Sequence, residues 1–171
     1  MTTPEPSSTE QALALYHRLR LEVHREIPFY IDRLVKDLNK CQTPVEQLLL
    51  AALWAYTAGE MAVSPQETIR APGNPWRVDF LVSWRHPFLN RERPVFVIEV
   101  DSQEQHSTLA AFKADRERDR EIMSWQGLPT VRVTDEEILR SPGGVAEDIR
   151  MIFQRVTGAL LESLFPPDKE S

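Results

Sequence analysis

The sequence predicts one mixed α/β domain with a helical extension before it, and two observations support this. From Thr43 onward, helical patterns and short β-branched runs follow one another in the order helix, three strands, helix, strand, helix. With 42% hydrophobic and 27% charged residues, the 171-residue chain has an ordinary composition for a soluble domain with its own core.

The residues before Thr43 divide into a disordered start and a helical extension. Residues 1–8 are rich in Pro, Ser and Thr and are expected to be disordered. A capping-box pattern at Ser8 begins the first helix of residues 9–41, and a second helical pattern follows Pro28. We expect this extension to pack on the domain, to form a homodimer or to bind a protein partner.

The domain over residues 42–165 begins with a helix that is apolar nearly all round and therefore largely buried. Thr43 as N-cap, Pro44 at the first helical position and Glu46 form its start signal, and Gly59 fits its end.

Two strands follow, Glu67–Ile69 and Arg77–Val82, and a polar loop over Ser83–Arg93 leads to a third. Alternation divides the residues of the second strand between two faces, with Trp76, Val78, Phe80 and Val82 on one and Arg77, Asp79 and Leu81 on the other.

The third strand, from Pro94, is apolar but ends in two carboxylates. Alternation places Glu99 and Asp101 on the same side as Val95 and Val97. Carboxylates at the end of an apolar strand are costly to bury without a cation or hydrogen-bond donors. They therefore indicate a metal site, a strand end that emerges into water, or an ion pair with an arginine.

One more strand and two helices complete the domain. In chain order the elements are a helix over Thr108–Gln126 ended by Gly127, a strand over Thr130–Val133, a short turn through Leu139, and a helix over Val145–Leu164 set off by Gly143 and Gly144. Residues 166–171 are expected to fray.

Composition excludes several classes of protein. No apolar run approaches the roughly 20 residues that span a membrane, and the N-terminus has no signal-peptide pattern. The single cysteine, Cys41, excludes an internal disulfide and a multi-cysteine zinc site, which fits the cytoplasm. The net charge of −6 argues against a protein that coats nucleic acid with a general basic surface, although a local basic groove remains compatible.

Three acidic residues from separate elements are expected to converge, namely Glu46, Asp79 and Glu99, with Asp101 beside them. Carboxylates on neighbouring strands are typical ligands of Mg²⁺, and a histidine such as His106 can orient a water molecule. Each residue also has an ordinary interpretation. On that interpretation Glu46 would serve only as a helix cap. Asp79 would face solvent, and His106 would be a surface residue.

The helix over Thr108–Gln126 places Asp115 and Asp119 on the face that should pack on the sheet. Buried carboxylates need donors, and Arg132 on the next strand is the expected partner of Asp119. A structural salt bridge is the favoured interpretation over a direct chemical role.

An ordered set of motifs links these residues. It consists of Arg77-Val-Asp79-Phe, Val97-Ile-Glu99-Val-Asp101, His106, the run from Asp115 through Arg118 and Asp119 to Ile122, Gly127, and Val131-Arg132-Val. Over about Thr43 to Leu164 this order resembles the restriction-endonuclease-like PD-(D/E)XK superfamily, most closely its very-short-patch-repair-like branch.

The resemblance implies an α/β/α core with a mixed central sheet that hydrolyses DNA phosphodiester bonds with Mg²⁺ or Mn²⁺. Asp79 and Glu99 would bind the metal, and Glu46 would be the acidic residue that the first helix often supplies. Asp101 and His106 would match the branch's second acidic position and its histidine. Asp101 also stands where the superfamily usually has lysine, Ser102 replaces the usual glycine, and the spacing from Asp101 to His106 is longer.

The leading expectation is therefore a metal-dependent endonuclease, whose loop over Trp84–Arg93 either contacts DNA or is an ordinary solvated loop. The alternative is a catalytically inactive nuclease-fold module for binding or assembly in a DNA-processing or defence system. The acidic balance, the altered loop after Asp101 and the N-terminal helices favour that alternative. A third option is a transposase- or defence-associated subunit whose partner supplies the DNA affinity.

Overall fold

The computed structural model describes residues 28–57, 61–70, 75–85, 92–102 and 109–164. The helices in this part of the chain are α1 (Pro28–Leu38), α2 (Pro44–Tyr56), α3 (Leu109–Gln126), α4 (Asp135–Arg140) and α5 (Pro142–Leu164). The strands are β1 (Met61–Arg70), β2 (Pro75–Arg85), β3 (Glu92–Asp101) and β4 (Thr130–Thr134). The predicted mixed α/β class and the order of elements after Thr43 are confirmed. The disordered start, the first N-terminal helix and the frayed tail lie outside the described residues, and α1 is the second helix of the predicted extension.

The strands form one mixed sheet in the order β1-β2-β3-β4. The first three strands are antiparallel neighbours, whereas β4 runs parallel to β3, with Val97 opposite Thr130 and Asp101 opposite Thr134. A parallel pair needs a crossover connection, and α3 provides it. Gly127, at φ +66°, ends that helix as predicted.

The strands of the β2–β3 hairpin are longer than the sequence predicted. β2 continues to Arg85 and β3 begins at Glu92, so both ends of the polar stretch over Ser83–Arg93 that was predicted as a loop are paired strand. Arg85 and Glu92 are paired across the two strands, and their exposed side chains form an ion pair of 3.0 Å. Residues 86–91 lie outside the described part of the chain.

Two apolar clusters lie on opposite faces of the sheet. The larger joins residues of α1, α2, α4 and α5 to Phe80, Val82, Phe96 and Ile98 of the central strands. The smaller consists of Ile69, Val78, Val97, Leu128 and a single α3 residue, Ile122. Helices therefore cover both faces, and among residues 113–126 of α3 only Ile122 is buried.

Two predicted face assignments are wrong. Trp76 and Val78 pack in the smaller cluster with Leu81, away from Phe80 and Val82, because β2 is distorted at the residue between Val78 and Phe80. Val95 packs with the larger cluster and not with Val97, because the pairing with β2 shifts by one residue there and leaves Val95 as the extra residue of a bulge.

The starts of α2 and α5 follow from local chemistry. The Thr43 hydroxyl accepts a hydrogen bond from the backbone of Glu46 at 3.1 Å, with Pro44 next to it, as predicted. The α5 helix begins earlier than predicted, at Pro142, and runs through both glycines, because the Ser141 hydroxyl accepts from the Gly144 N–H at 3.3 Å. Among the described residues, no helix is long and apolar enough to cross a membrane.

Candidate functional site

The sheet opens at Asp79. The ladder between β1 and β2 is continuous except at Gln66 and Asp79, which face each other unpaired. Between β2 and β3 the ladder ends with Phe80 opposite Ile98, and the Val100 N–H donates instead to Asp79 Oδ2 at 2.8 Å. Asp79 thus lies where β2 lacks ladder partners on both sides, half-buried and hydrogen-bonded rather than freely solvated.

Gln66 joins Asp79 to Glu46. Its Nε2 donates to Glu46 Oε2 at 2.8 Å and lies 3.5 Å from Asp79 Oδ1. Its backbone has a φ of +56°, in the left-handed region that residues other than glycine seldom adopt. Its Oε1 is buried and has no hydrogen-bond partner among the described residues. Backbone strain and an unsatisfied amide oxygen at one residue are typical of positions shaped by function.

Glu46 caps the α2 helix and also belongs to the acidic cluster, by which we mean Glu46, Asp79 and Glu99. Its Oε2 accepts from the Gln42 N–H at 2.9 Å and its Oε1 from the Thr43 hydroxyl at 3.1 Å, while Gln66 links it to Asp79. The side chain is buried at the start of α2. Burial raises the pKa of Glu46 above its usual value, and the charge of Asp79 raises it further, although the hydrogen bond from Gln42 opposes both.

Glu99 is the most deeply buried acid of β3, with 6% of its surface exposed. Arg118 of α3 donates through Nη2 to Glu99 Oε2 at 2.9 Å, but Glu99 Oε1 is buried without a partner among the described residues. Burial raises the pKa of Glu99 to about 7, against the effect of Arg118 and with that of Asp79. The buried carboxyl group therefore holds its proton to a higher pH than a solvated glutamate does.

The predicted partnership between Arg132 and Asp119 is confirmed. Arg132 donates from Nε and Nη2 to the Asp119 carboxylate at 3.0 to 3.2 Å and from Nη1 to Asp101 Oδ1 at 2.7 Å. Asp101, which the resemblance gives a site role, is thereby engaged in an ion pair that ties β3 to β4 and α3. All three side chains are between a fifth and a third exposed.

The structure does not bring every predicted site residue together. Glu46, Asp79 and Glu99 lie around the opening, and Asp101 is turned to Arg132. His106 lies outside the described residues. Cys41, treated as structural from its sequence context, is buried next to the cluster, and burial with the charge of Glu46 raises the pKa of its thiol to about 12. The thiol is therefore protonated at neutral pH and is a poor nucleophile.

Two residues of the site were missed from the sequence alone. Arg118 was part of the motif on which the resemblance rests, but it was given no role. Its position one helical turn before Ile122 indicated that it lies on the same side of α3, towards the sheet. Gln66 had no signal, because its importance comes from a backbone conformation and from contacts with distant segments.

The carboxylate and amide oxygens of this site are of the kind that binds a hard divalent cation. Within the described residues, no three His, Cys, Asp or Glu side chains are grouped closely enough to hold a metal ion. Mg²⁺, however, is commonly bound through one or two carboxylates and several waters. Asp79 and Glu99 offer two carboxylates, and among the described residues no donor reaches the buried Oε1 atoms of Glu99 and Gln66. The donor chemistry therefore fits Mg²⁺ or Mn²⁺.

Comparison of the chain with protein-family models, with curated proteins and with solved structures gave no match.

Proposed function

We propose that this protein is a metal-dependent nuclease that hydrolyses DNA phosphodiester bonds, with Asp79 and Glu99 as the ligands of Mg²⁺ or Mn²⁺. The observation that carries the proposal is the buried Glu99 carboxyl group beside Asp79, with one oxygen that no donor satisfies. Two carboxylates at an opened sheet repel each other and are poorly solvated, so a divalent cation would stabilise both.

The architecture supports this proposal. The resemblance to restriction-endonuclease-like proteins implies an α/β/α core with a mixed central sheet, and a mixed sheet with helices on both faces is compatible with that core. The proposed site lies in the central pair of strands, β2 and β3, and the acidic residue of the first helix reaches it through Gln66. We also propose a cytoplasmic location, since the only cysteine is a free buried thiol.

Each residue of the site has a distinct role in this proposal. Asp79 and Glu99 hold the cation, which when bound lowers the pKa of an attacking water and neutralises charge on the phosphate. Glu46 orients Asp79 through the Gln66 amide. Asp101 holds Arg132 and so positions the end of β3. A role for His106 in orienting water stays a prediction.

The Asp79→Asn variant is expected to lose metal binding and DNA cleavage while keeping its fold. The substitution preserves size and an acceptor for the Val100 N–H but removes a carboxylate from the cation. Substitution of a residue that only hydrogen-bonds to a metal ligand typically lowers metal affinity by about 10- to 100-fold. Loss of a ligand itself should therefore weaken metal binding by at least that much. Titration calorimetry with Mg²⁺ and Mn²⁺, together with a plasmid cleavage assay, measures both effects.

Asp32→Asn is the matched control, since Asp32 is an exposed aspartate of α1. It should bind metal and cleave DNA like the wild type. Wild-type cleavage by purified Asp79→Asn protein in a metal-controlled assay would overturn the assignment. Circular dichroism of both variants separates loss of the site from loss of the fold.

One observation favours a second candidate function, a catalytically inactive nuclease-fold module for binding or assembly. The cations that face the acidic residues of β3 are protein side chains, Arg118 at Glu99 and Arg132 at Asp101, and these ion pairs neutralise carboxylates without a metal. In that case a partner, reached through the N-terminal helices, would direct the protein to its target. DNA or partner binding with no metal binding in the same titration would favour this module over the nuclease.

A further inference from the structure

The two arginines that face the acidic end of β3 are satisfied to different degrees. Arg132 engages two carboxylates through Nε, Nη1 and Nη2. Arg118 donates to Glu99 through Nη2 alone, and its distance to Asp115 Oδ1 is 4.0 Å. The Arg118 Nε is buried and has no hydrogen-bond partner among the described residues. Arg132 is thus fixed in place by its partners, whereas Arg118 has donor capacity left over.

The position of Arg118 suits it to a substrate anion. A guanidinium group carries five N–H donors in a planar fork that matches the oxygens of a phosphate. The Arg118 side chain is 19% exposed, so it is packed against the site and still reaches solvent. The chain as a whole carries a charge of −6, so DNA that approaches the acidic cluster needs a local cation there.

We propose that Arg118 is the phosphate-binding residue of this site: it neutralises Glu99 in the metal-free protein and contacts the DNA backbone once a divalent cation has taken over Glu99. This inference rests on the proposed nuclease function. A cation at Glu99 repels the guanidinium that occupied the same carboxylate, and a phosphate oxygen is the acceptor that then becomes available.

The test compares Arg118→Gln with Arg120→Gln, a neutralised arginine that is exposed on the same helix. Binding of a phosphorothioate-protected DNA duplex is measured with Mg²⁺ over a range of salt concentrations. If Arg118 contacts one phosphate, the slope of log K against log salt should be less steep for Arg118→Gln than for Arg120→Gln, by about 0.9. Mg²⁺ titrated alone should bind Arg118→Gln more tightly, by on the order of fivefold, because a competing charge at contact distance is gone.

A purely structural role for Arg118 predicts a different pair of results. Arg118→Gln would then bind Mg²⁺ more weakly, because Glu99 would lose its orientation, and the salt slope would equal that of Arg120→Gln. Either result overturns this inference while leaving the nuclease proposal intact. A wild-type protein that binds neither Mg²⁺ nor DNA overturns both.

If Arg118→Gln does not fold, the wild type itself still decides the question. The Nε–H resonance of Arg118, assigned with the charge-retaining Arg118→Lys variant, should shift when Mg²⁺ is added and again when DNA follows. A resonance that moves at neither step contradicts the exchange of partners.

Discussion

The free energy of unfolding is expected to fall by about 3 kcal/mol between pH 4.5 and pH 7 because of Glu99 alone. Burial raises the pKa of Glu99 in the folded protein to about 7 from the usual 4.5, so between these values the folded state holds a proton that the unfolded state has released. The stabilisation is complete below pH 4.5 and is lost as the pH rises through about 7, at about 1.4 kcal/mol per pH unit.

Glu99→Gln removes this titration and should abolish most of the pH dependence in that window. Urea unfolding of both proteins from pH 5 to pH 8 gives the difference directly. A smaller fall in the variant is expected from Glu46, whose pKa is also raised by burial. Glu117→Gln, an exposed glutamate of α3, is the control and should follow the wild-type curve. Parallel curves for Glu99→Gln and wild type would mean that Glu99 is solvated in solution.

Arg132→Ala is expected to lower the free energy of unfolding by about 2–3 kcal/mol. The substitution leaves Asp101 and Asp119 without the guanidinium that neutralises both. Stranding a fully buried charge costs about 3–5 kcal/mol, and the partial exposure of these carboxylates reduces that figure. Chemical denaturation at pH 7.5 measures the loss.

Arg85→Ala provides the matched control, because it breaks an exposed ion pair with Glu92 at the end of the hairpin. Exposed pairs contribute at most about 1 kcal/mol, so this variant should stay close to wild type. Equal losses for the two variants would show that Arg132 contributes no more than a surface charge does.

The sequence predicted those parts of the fold that local pattern determines. The α2 helix has a start signal at Thr43 and a continuous apolar run, so its start and its burial were both predicted. The faces of β2 were not, because alternation assumes an unbroken strand and the distortion at Asp79 depends on contacts from β1 and β3. The start of α5 was misplaced because glycine is a poor helix former, and the Ser141 cap outweighs that preference.

The candidate site was predicted to a similar extent. The expected convergence of Glu46, Asp79 and Glu99 rested on their places on one helix and two neighbouring strands, and the Asp119–Arg132 pair followed from the need of a buried carboxylate for a donor. The polar network around them depends on side-chain reach between segments far apart in the chain. Gln66 is 20 residues from Glu46, and Arg118 is 19 from Glu99, so no local pattern reports these contacts.

The attachment of α3 has a consequence for how the protein opens. Of the α3 side chains that the structure describes, those of residues 113–126, only Ile122 is buried. Polar contacts also attach this part of the helix, among them Trp76 to Glu121 at 2.8 Å and the pairs of Arg118 and Arg132. Ion pairs weaken as ionic strength rises, whereas apolar packing of the kind that holds α2 does not. Amide hydrogens of α3 should therefore exchange through local detachment that salt accelerates, while those of α2 wait for global unfolding. We therefore expect the crossover that completes the parallel pair to detach before α2 does.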